Sequence, residues 1–128
     1  MRVLENLISD RGSKYAASGG DIPGGPDAAR AGVAAFLTQL RKDKKFAKAT
    51  HHSWGLIASG GGERVLLKGD DGESGAGAVI LRMLETAGLE NHVVVVTRWY
   101  GGTKLGGDRF RHVQEAVRLY LADRAAGG

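Results

Sequence analysis

The sequence contains no cysteine. That excludes disulfides, thiol nucleophiles and thiolate metal sites, and it fits a cytoplasmic setting. No apolar run approaches the length of a membrane span, and Met1-Arg2-Val3-Leu4-Glu5 lacks the apolar core of a signal peptide. There is no internal repeat and no linker long enough to divide the chain. Neither glycine-rich segment carries the Gly-Lys-Ser/Thr order of a Walker loop or the G-x-G-x-x-G spacing of a dinucleotide site, so a nucleotide-hydrolysing enzyme finds little support. What remains is a chain of 128 residues, 42% apolar, with a formal net charge of +4. That length fits one domain with a real core, and a pI near 9.6 favours an anionic partner only weakly.

The sharpest change of texture is Val93 to Phe110, VVVVTRWYGGTKLGGDRF. Valine is stiff at χ1 and fits a pleated surface, so residues 93–97 predict a strand buried on both faces. Gly101-Gly102 and Gly106-Gly107 then allow positive φ or close approach of another backbone. Phe110, Val113, Val117, Tyr120 and Leu121 recur at helical spacing, which makes the unit a strand, a glycine-rich loop and a helix.

In chain order, residues 1–9 read as a lead-in and residues 10–17 as a first strand. Ser18 to Pro26, with four glycines and both prolines, reads as a loop. A helix is expected from Asp27, which can cap it, with Ala29, Val33, Phe36, Leu37 and Leu40 as its apolar stripe. The basic run Arg41-Lys42-Asp43-Lys44-Lys45 suits the negative end of that helix as a solvated terminus. Residues 50–58 and 63–68 form a hairpin around Ser59-Gly60-Gly61-Gly62, with Trp54, Leu56, Val65 and Leu67 sharing a face. Ala76, Val79, Ile80, Met83, Leu84 and Ala87 mark a second helix closed by Gly88. The last helix runs from Asp108 to Arg124, and the expected domain spans residues 10–125, leaving 126–128 as a tail. The expected fold is α/β in two layers, β-α-β-β-α-β-α, with one four-stranded mixed sheet and helices on one face. If the strands near Val65 and Val93 are parallel, base rates give their crossover a right hand.

Three carboxylates crowd Asp70-Asp71-Gly72-Glu73. Capping of the following helix is the plainer reading of that cluster, and a hard cation is the alternative. The loop before the final helix offers Arg98, Lys104, Arg109 and Arg111 as anion contacts, against the reading of simple tight-turn packing; Asp108 opposes the anion reading unless it faces away. His51 and His52 are adjacent in a strand and point to opposite faces, so they cannot share one metal site. Ser53, His51 and Asp70 or Asp71 could be arranged as a hydrolytic relay, but no nucleophile elbow accompanies them. Trp99 and Tyr100 could stack bases beside Arg98, or form a partly buried rim of the core.

Four ordered motifs carry a resemblance: Asp10-Arg11-Gly12-Ser13-Lys14-Tyr15, Ala49-Thr50-His51, Asp70-Asp71-Gly72-Glu73, and Arg98-Trp99-Tyr100-Gly101-Gly102-Thr103-Lys104-Leu105-Gly106. Together they resemble the IMPACT family, which includes the eukaryotic IMPACT translational regulators and bacterial YigZ-type proteins. Gly107-Asp108-Arg109-Phe110-Arg111-His112 is more similar to the eukaryotic branch. The resemblance implies the fold of the second domain of small-subunit ribosomal protein five and of domain four of elongation factor G, with a left-handed crossover. It also implies a role in the starvation response: the eukaryotic members bind the ribosome-associated activator of an initiation-factor kinase. An RWD domain or a ferredoxin-like domain, carried by longer members, does not stand in this sequence, so the chain reads as a stand-alone domain or a piece of a larger one.

The function expected from these readings is a non-enzymatic binding module linked to translation. Its partner is RNA or a ribosome-associated protein, met through Arg98, Trp99, Tyr100, Gly101, Gly102, Lys104, Arg109 and Arg111. His51, Asp70, Asp71 and Glu73 form a second loop beside that surface. No catalytic residue, metal or cofactor is expected. The alternative is a small-anion or nucleotide binder, or a hydrolase, that uses the acidic and glycine-rich loops.

Overall fold

The computed structural model describes residues 1–127. It is built of β1 (Arg2–Asp10), β2 (Ser13–Asp21), α1 (Gly25–Leu40), α2 (Lys44–Ala47), β3 (His51–Gly60), β4 (Glu63–Gly69), α3 (Ala76–Ala87), β5 (His92–Trp99) and α4 (Asp108–Gly127). The sheet has five strands in the order β1-β2-β5-β3-β4, and every neighbouring pair is antiparallel. Two corrections to the expected sheet follow: there are five strands rather than four, and the pairing is antiparallel rather than mixed. The expected lead-in is itself a strand. Its periodicity is broken by an irregularity between Leu4 and Ile8, where Asn6 takes φ 55°. Ser18 to Asp21, expected in a loop, continue β2.

The valine run is central, as its composition demands, and Val93 to Val96 are all buried. Alternate valines feed two different cores. Val94 and Val96 join Tyr15, Ala17 and Ile57 beneath α3 and α4, where Ile80, Leu84, Val113, Val117 and Tyr120 close the layer. Val93 and Val95 join Ala16, Leu56 and Leu67 beneath α1 and α2, covered by Val33, Phe36, Leu40 and Phe46. Helices therefore lie on both faces rather than one. Each valine side chain fully withdrawn from water contributes about 1.5–3 kcal/mol, which a one-sided sheet could collect for only half the run.

The pairing fixes the handedness argument. β2 and β3 are parallel, separated by β5, and joined over one face by α1; β4 and β5 are parallel, separated by β3, and joined over the other face by α3. A half-turn in the plane of the sheet superposes the direction of one crossover on the other while leaving the faces unchanged. The two connections are consequently of opposite hand, and one of them is left-handed, against the usual preference.

α1 begins without the side-chain cap expected of Asp27. α1 starts at Gly24 and Gly25, both at positive φ, with Asp27 in the first turn rather than capping. Asp43 caps the short α2 through its carboxylate, which accepts from Lys45 N at 2.9 Å. The β3–β4 turn places Gly61 and Gly62 at φ 58° and 83°, the left-handed pair that a tight hairpin requires.

Candidate functional site

β5 delivers Arg98 to the face beneath α3 and α4, and Trp99 to the opposite face, because successive strand residues alternate. Arg98 is only 5% exposed. Its Nη1 donates to both Glu73 carboxylate oxygens, at 2.9 and 3.2 Å, and Glu73 is 2% exposed. Arg109, from the first turn of α4, approaches the same carboxylate at 3.6 Å. One acid thus holds two arginines. The Arg98 guanidinium also lies 5.8 Å over the Tyr15 ring and 5.6 Å from the Tyr100 ring, and Ser13 Oγ accepts from its Nη2 at 3.3 Å.

Around this trio opens a groove of about 570 Å³. Thr50, His51, Gly72 and Glu73 line it together with Tyr100, Lys104, Leu105, Gly106 and Arg109, and the buried Arg98. The acidic loop and the glycine-rich loop therefore line one shared groove. Lys104 is exposed on the wall, and no ion pair engages it among the described residues. Three cations stand against the single buried carboxylate of Glu73.

The three acids of the 70–73 loop do different things. Asp70 accepts from Gly75 N at 3.1 Å and Gly77 N at 2.8 Å, capping α3, and those N–H groups hold its carboxyl below the usual carboxylate range. Asp71 accepts from His52 N at 2.7 Å, with its own backbone at φ 49°. Only Glu73 enters the groove's charge balance. The three carboxylates diverge, and among the described residues no group of three metal-capable side chains assembles. The hydrolytic relay does not form either: Ser53 Oγ donates to Asp70 O at 2.9 Å, and His51 Nδ1 lies 2.8 Å from Asp71 O.

Four expected surface residues do not line the groove. Trp99 donates from Nε1 to Lys45 O at 2.9 Å and packs edge-on against Phe46, on the far side of the sheet from Arg98. Arg111 pairs with Asp108 at 3.3 Å and faces away from the groove, beside Met83 and Gln114. Asp108 is also engaged by Arg11 at 2.6 Å, so the arginines that pair with it both stand outside the groove lining. Gly101 is a packing residue: a Cβ there would stand 2.0 Å from Gly12 C and 2.5 Å from Ser13 N. Gly102, at φ 93°, supplies the turn that follows.

Ser13 and Thr50 were not among the expected site residues. Ser13 Oγ also accepts from Gly101 N at 3.3 Å, and Thr50 Oγ1 from Tyr100 N at 2.9 Å, so both fix the loop that carries Lys104. Each stands inside a motif legible in the sequence, and that was the available signal. Tyr15 is buried beneath Arg98; its hydroxyl has no partner among the described residues, and burial pushes it up to about 12.

Human protein IMPACT is 37% identical over 94 residues, covering 72% of this chain and 29% of the human protein. The protein IMPACT homolog of Saccharomyces cerevisiae is 34% identical over 113 residues, 87% of this chain and 42% of that one. The chain thus spans less than half the length of these relatives. The structure of Yih1, described as a two-domain translational regulator, superposes with a TM-score of 0.55 at 31% identity, over 90% of this chain and 43% of that one. A crystal structure of a protein described as hypothetical gives a TM-score of 0.72 over 94% of this chain and 59% of that one; at 24% identity it shows the fold alone. The model of the Impact N-terminal domain matches residues 11–121. With the four motifs in order and most of its length matched, the chain belongs to the Impact N-terminal domain family.

Proposed function

We propose that this domain is a non-enzymatic binding module of translational regulation, and that its groove takes an anionic group of the partner, in the first instance an RNA phosphate. The observation that carries the reading is the charge balance at Glu73. One buried carboxylate orients Arg98 and Arg109 without neutralising both, and Lys104 adds a further cation on the open wall. Two pre-oriented guanidinium groups and an ammonium suit a phosphate, since the entropy of arranging them is settled in folding rather than in binding. Yih1 and the IMPACT relatives give the link to translation.

Fluorescence anisotropy with single-stranded RNA of about 12 nucleotides tests it. Affinity is expected to fall steeply with salt, and Lys104→Ala together with Arg109→Ala to flatten the log–log slope by about 1.4, at roughly 0.7 per phosphate contact. Salt-insensitive binding, or none, sinks the RNA reading; an acidic segment of a ribosome-associated protein would then be the partner to seek. The groove's volume of about 570 Å³ also suits a small anion or nucleotide. A rise in melting temperature with nucleotides or inorganic phosphate, without RNA binding, would favour that second reading.

A further inference from the structure

A second groove, of about 410 Å³, lies on the other face of the same end of the sheet. Lys14, Lys45, Lys48, Trp99 and Tyr100 line it. Lys14 pairs in register with Trp99, which places both on the α1–α2 face, whereas Arg98, one position along, lines the groove already described; Tyr15, its register partner, also borders the second groove. The two grooves adjoin: Tyr100 lines both. Tyr100 is 46% exposed as a residue, and its ring lies 5.6 Å from the Arg98 guanidinium where the two grooves meet.

The charges differ in availability. Lys45 is held by Glu5 at 2.6 Å and lies 5.4 Å over the Trp99 ring, so it serves to fix the indole. Lys14 and Lys48 are exposed, and no ion pair engages either among the described residues. Glu5 is the acid that meets this cluster, and its charge is already answered by Lys45. From Lys104 and Arg109, across Tyr100, to Lys14 and Lys48, the surface presents cation, aromatic ring, cation. That sequence of groups is what a single strand needs: phosphates follow the charges, and a base unstacked at the crossing finds a ring to lie on.

We infer that the two grooves form one track for single-stranded RNA, which passes from one face of the sheet to the other over Tyr100. This rests on the RNA reading of the first groove and extends it with a second phosphate-contacting surface at Lys14 and Lys48. The strand's path is set by the protein's edge rather than by base edges, so the track is tolerant of sequence. A duplex, with its bases already paired and stacked, cannot offer one to Tyr100.

The test uses the complete chain and fluorescein-labelled oligouridines of about 3 and about 12 nucleotides, bracketing the low end of single-strand site sizes. The longer oligomer is expected to bind the unmodified protein at least tenfold more tightly. Lys14→Ala with Lys48→Ala is expected to reduce the salt slope for the longer oligomer by about 1.4 while leaving the shorter one's unchanged. Tyr100→Ala should weaken the longer oligomer about fivefold or more, the loss of one stacked base. If the longer oligomer binds, and Lys104→Ala weakens it, but the Lys14/Lys48 pair and Tyr100 are without effect, the track is wrong and the first groove alone binds RNA. If the two lengths bind the unmodified protein equally, the same conclusion follows without any variant. Binding of neither length overturns the RNA reading itself.

Discussion

Replacing Glu73 by glutamine keeps shape and removes charge, and it isolates what the buried acid does. In the native protein its carboxylate lies 2.9 Å from Arg98 Nη1 and 3.6 Å from Arg109 Nη1, at 2% exposure. The variant leaves the Arg98 guanidinium buried without a counter-ion and sets it against Arg109 with nothing between them. Removing one partner of a buried pair costs about 3–5 kcal/mol, and the low end applies here because Ser13 Oγ and the Tyr15 and Tyr100 rings still face Arg98. An unfolding entropy of roughly 0.27 kcal/mol/K for 128 residues turns about 3 kcal/mol into a melting temperature about 11 °C lower. Urea titrations and thermal melts followed by circular dichroism at pH 7 give both quantities. The companion variant, Glu73→Leu with Arg98→Met, removes the charges together and is expected to return to within about 1 kcal/mol of the native protein. If Glu73→Gln loses less than about 1 kcal/mol, or if the double variant is less stable still, the pair is not the anchor of the groove.

The other predictions concern supports and pH. Asp70→Ala removes the α3 cap and should cost about 1 kcal/mol at pH 7 by urea titration; because the native carboxyl is held below its ordinary range, that difference should persist down to about pH 4 and decline only as the pH falls further, towards the lowered native value. His52 and His92 are pushed below the ordinary imidazole value, chiefly by burial. The unfolded chain then binds protons that the native state refuses, so stability is complete above about pH 6.5 and declines as pH falls below it; melts between pH 7.5 and 5 should show this, and His52→Gln should flatten the decline. Gly101→Ala drives a Cβ into the Gly12 backbone and should cost at least about 2 kcal/mol, whereas Gly107→Ala, with nothing within 4 Å of its Cβ, should show no such clash penalty in the same titration.

Much of this architecture was legible because burial leaves periodic marks. The α3 stripe and the Val93–Val96 run predicted a helix and a central strand, and both are there. The same valine run, read fully, also argued against a one-sided sheet: a strand apolar on both faces needs cover on both, and the stripe of α1 could have been assigned to the second face. β1 escaped because a bulge resets its alternation, so that Leu4, Leu7 and Ile8 all reach the core without forming a period-two pattern. In the site, strand alternation separates Arg98 from Trp99, although the sequence sets them side by side. The Arg98–Glu73 pair spans 25 positions and leaves no local pattern; only their presence in two motifs marked them. Arg111 looked like a groove cation because nothing in composition reveals that Asp108, three residues earlier, claims it.

The place of β5 in the sheet has a consequence for the protein's synthesis. β1 with β2, and β3 with β4, are hairpins that close from local sequence, but nothing pairs one hairpin to the other until residues 92–99 arrive between them. Three of the four helices are made before that strand. Until then the nascent chain carries two bare strand edges, those of β2 and β3, which in the finished protein are the most thoroughly enclosed. Such edges are templates for pairing with other chains, and the contacts that remove them are long-range and slow to form. The valines are therefore a latch as well as a core: the interval between the emergence of Gly69 and that of Trp99 is when this chain is most exposed to misassembly.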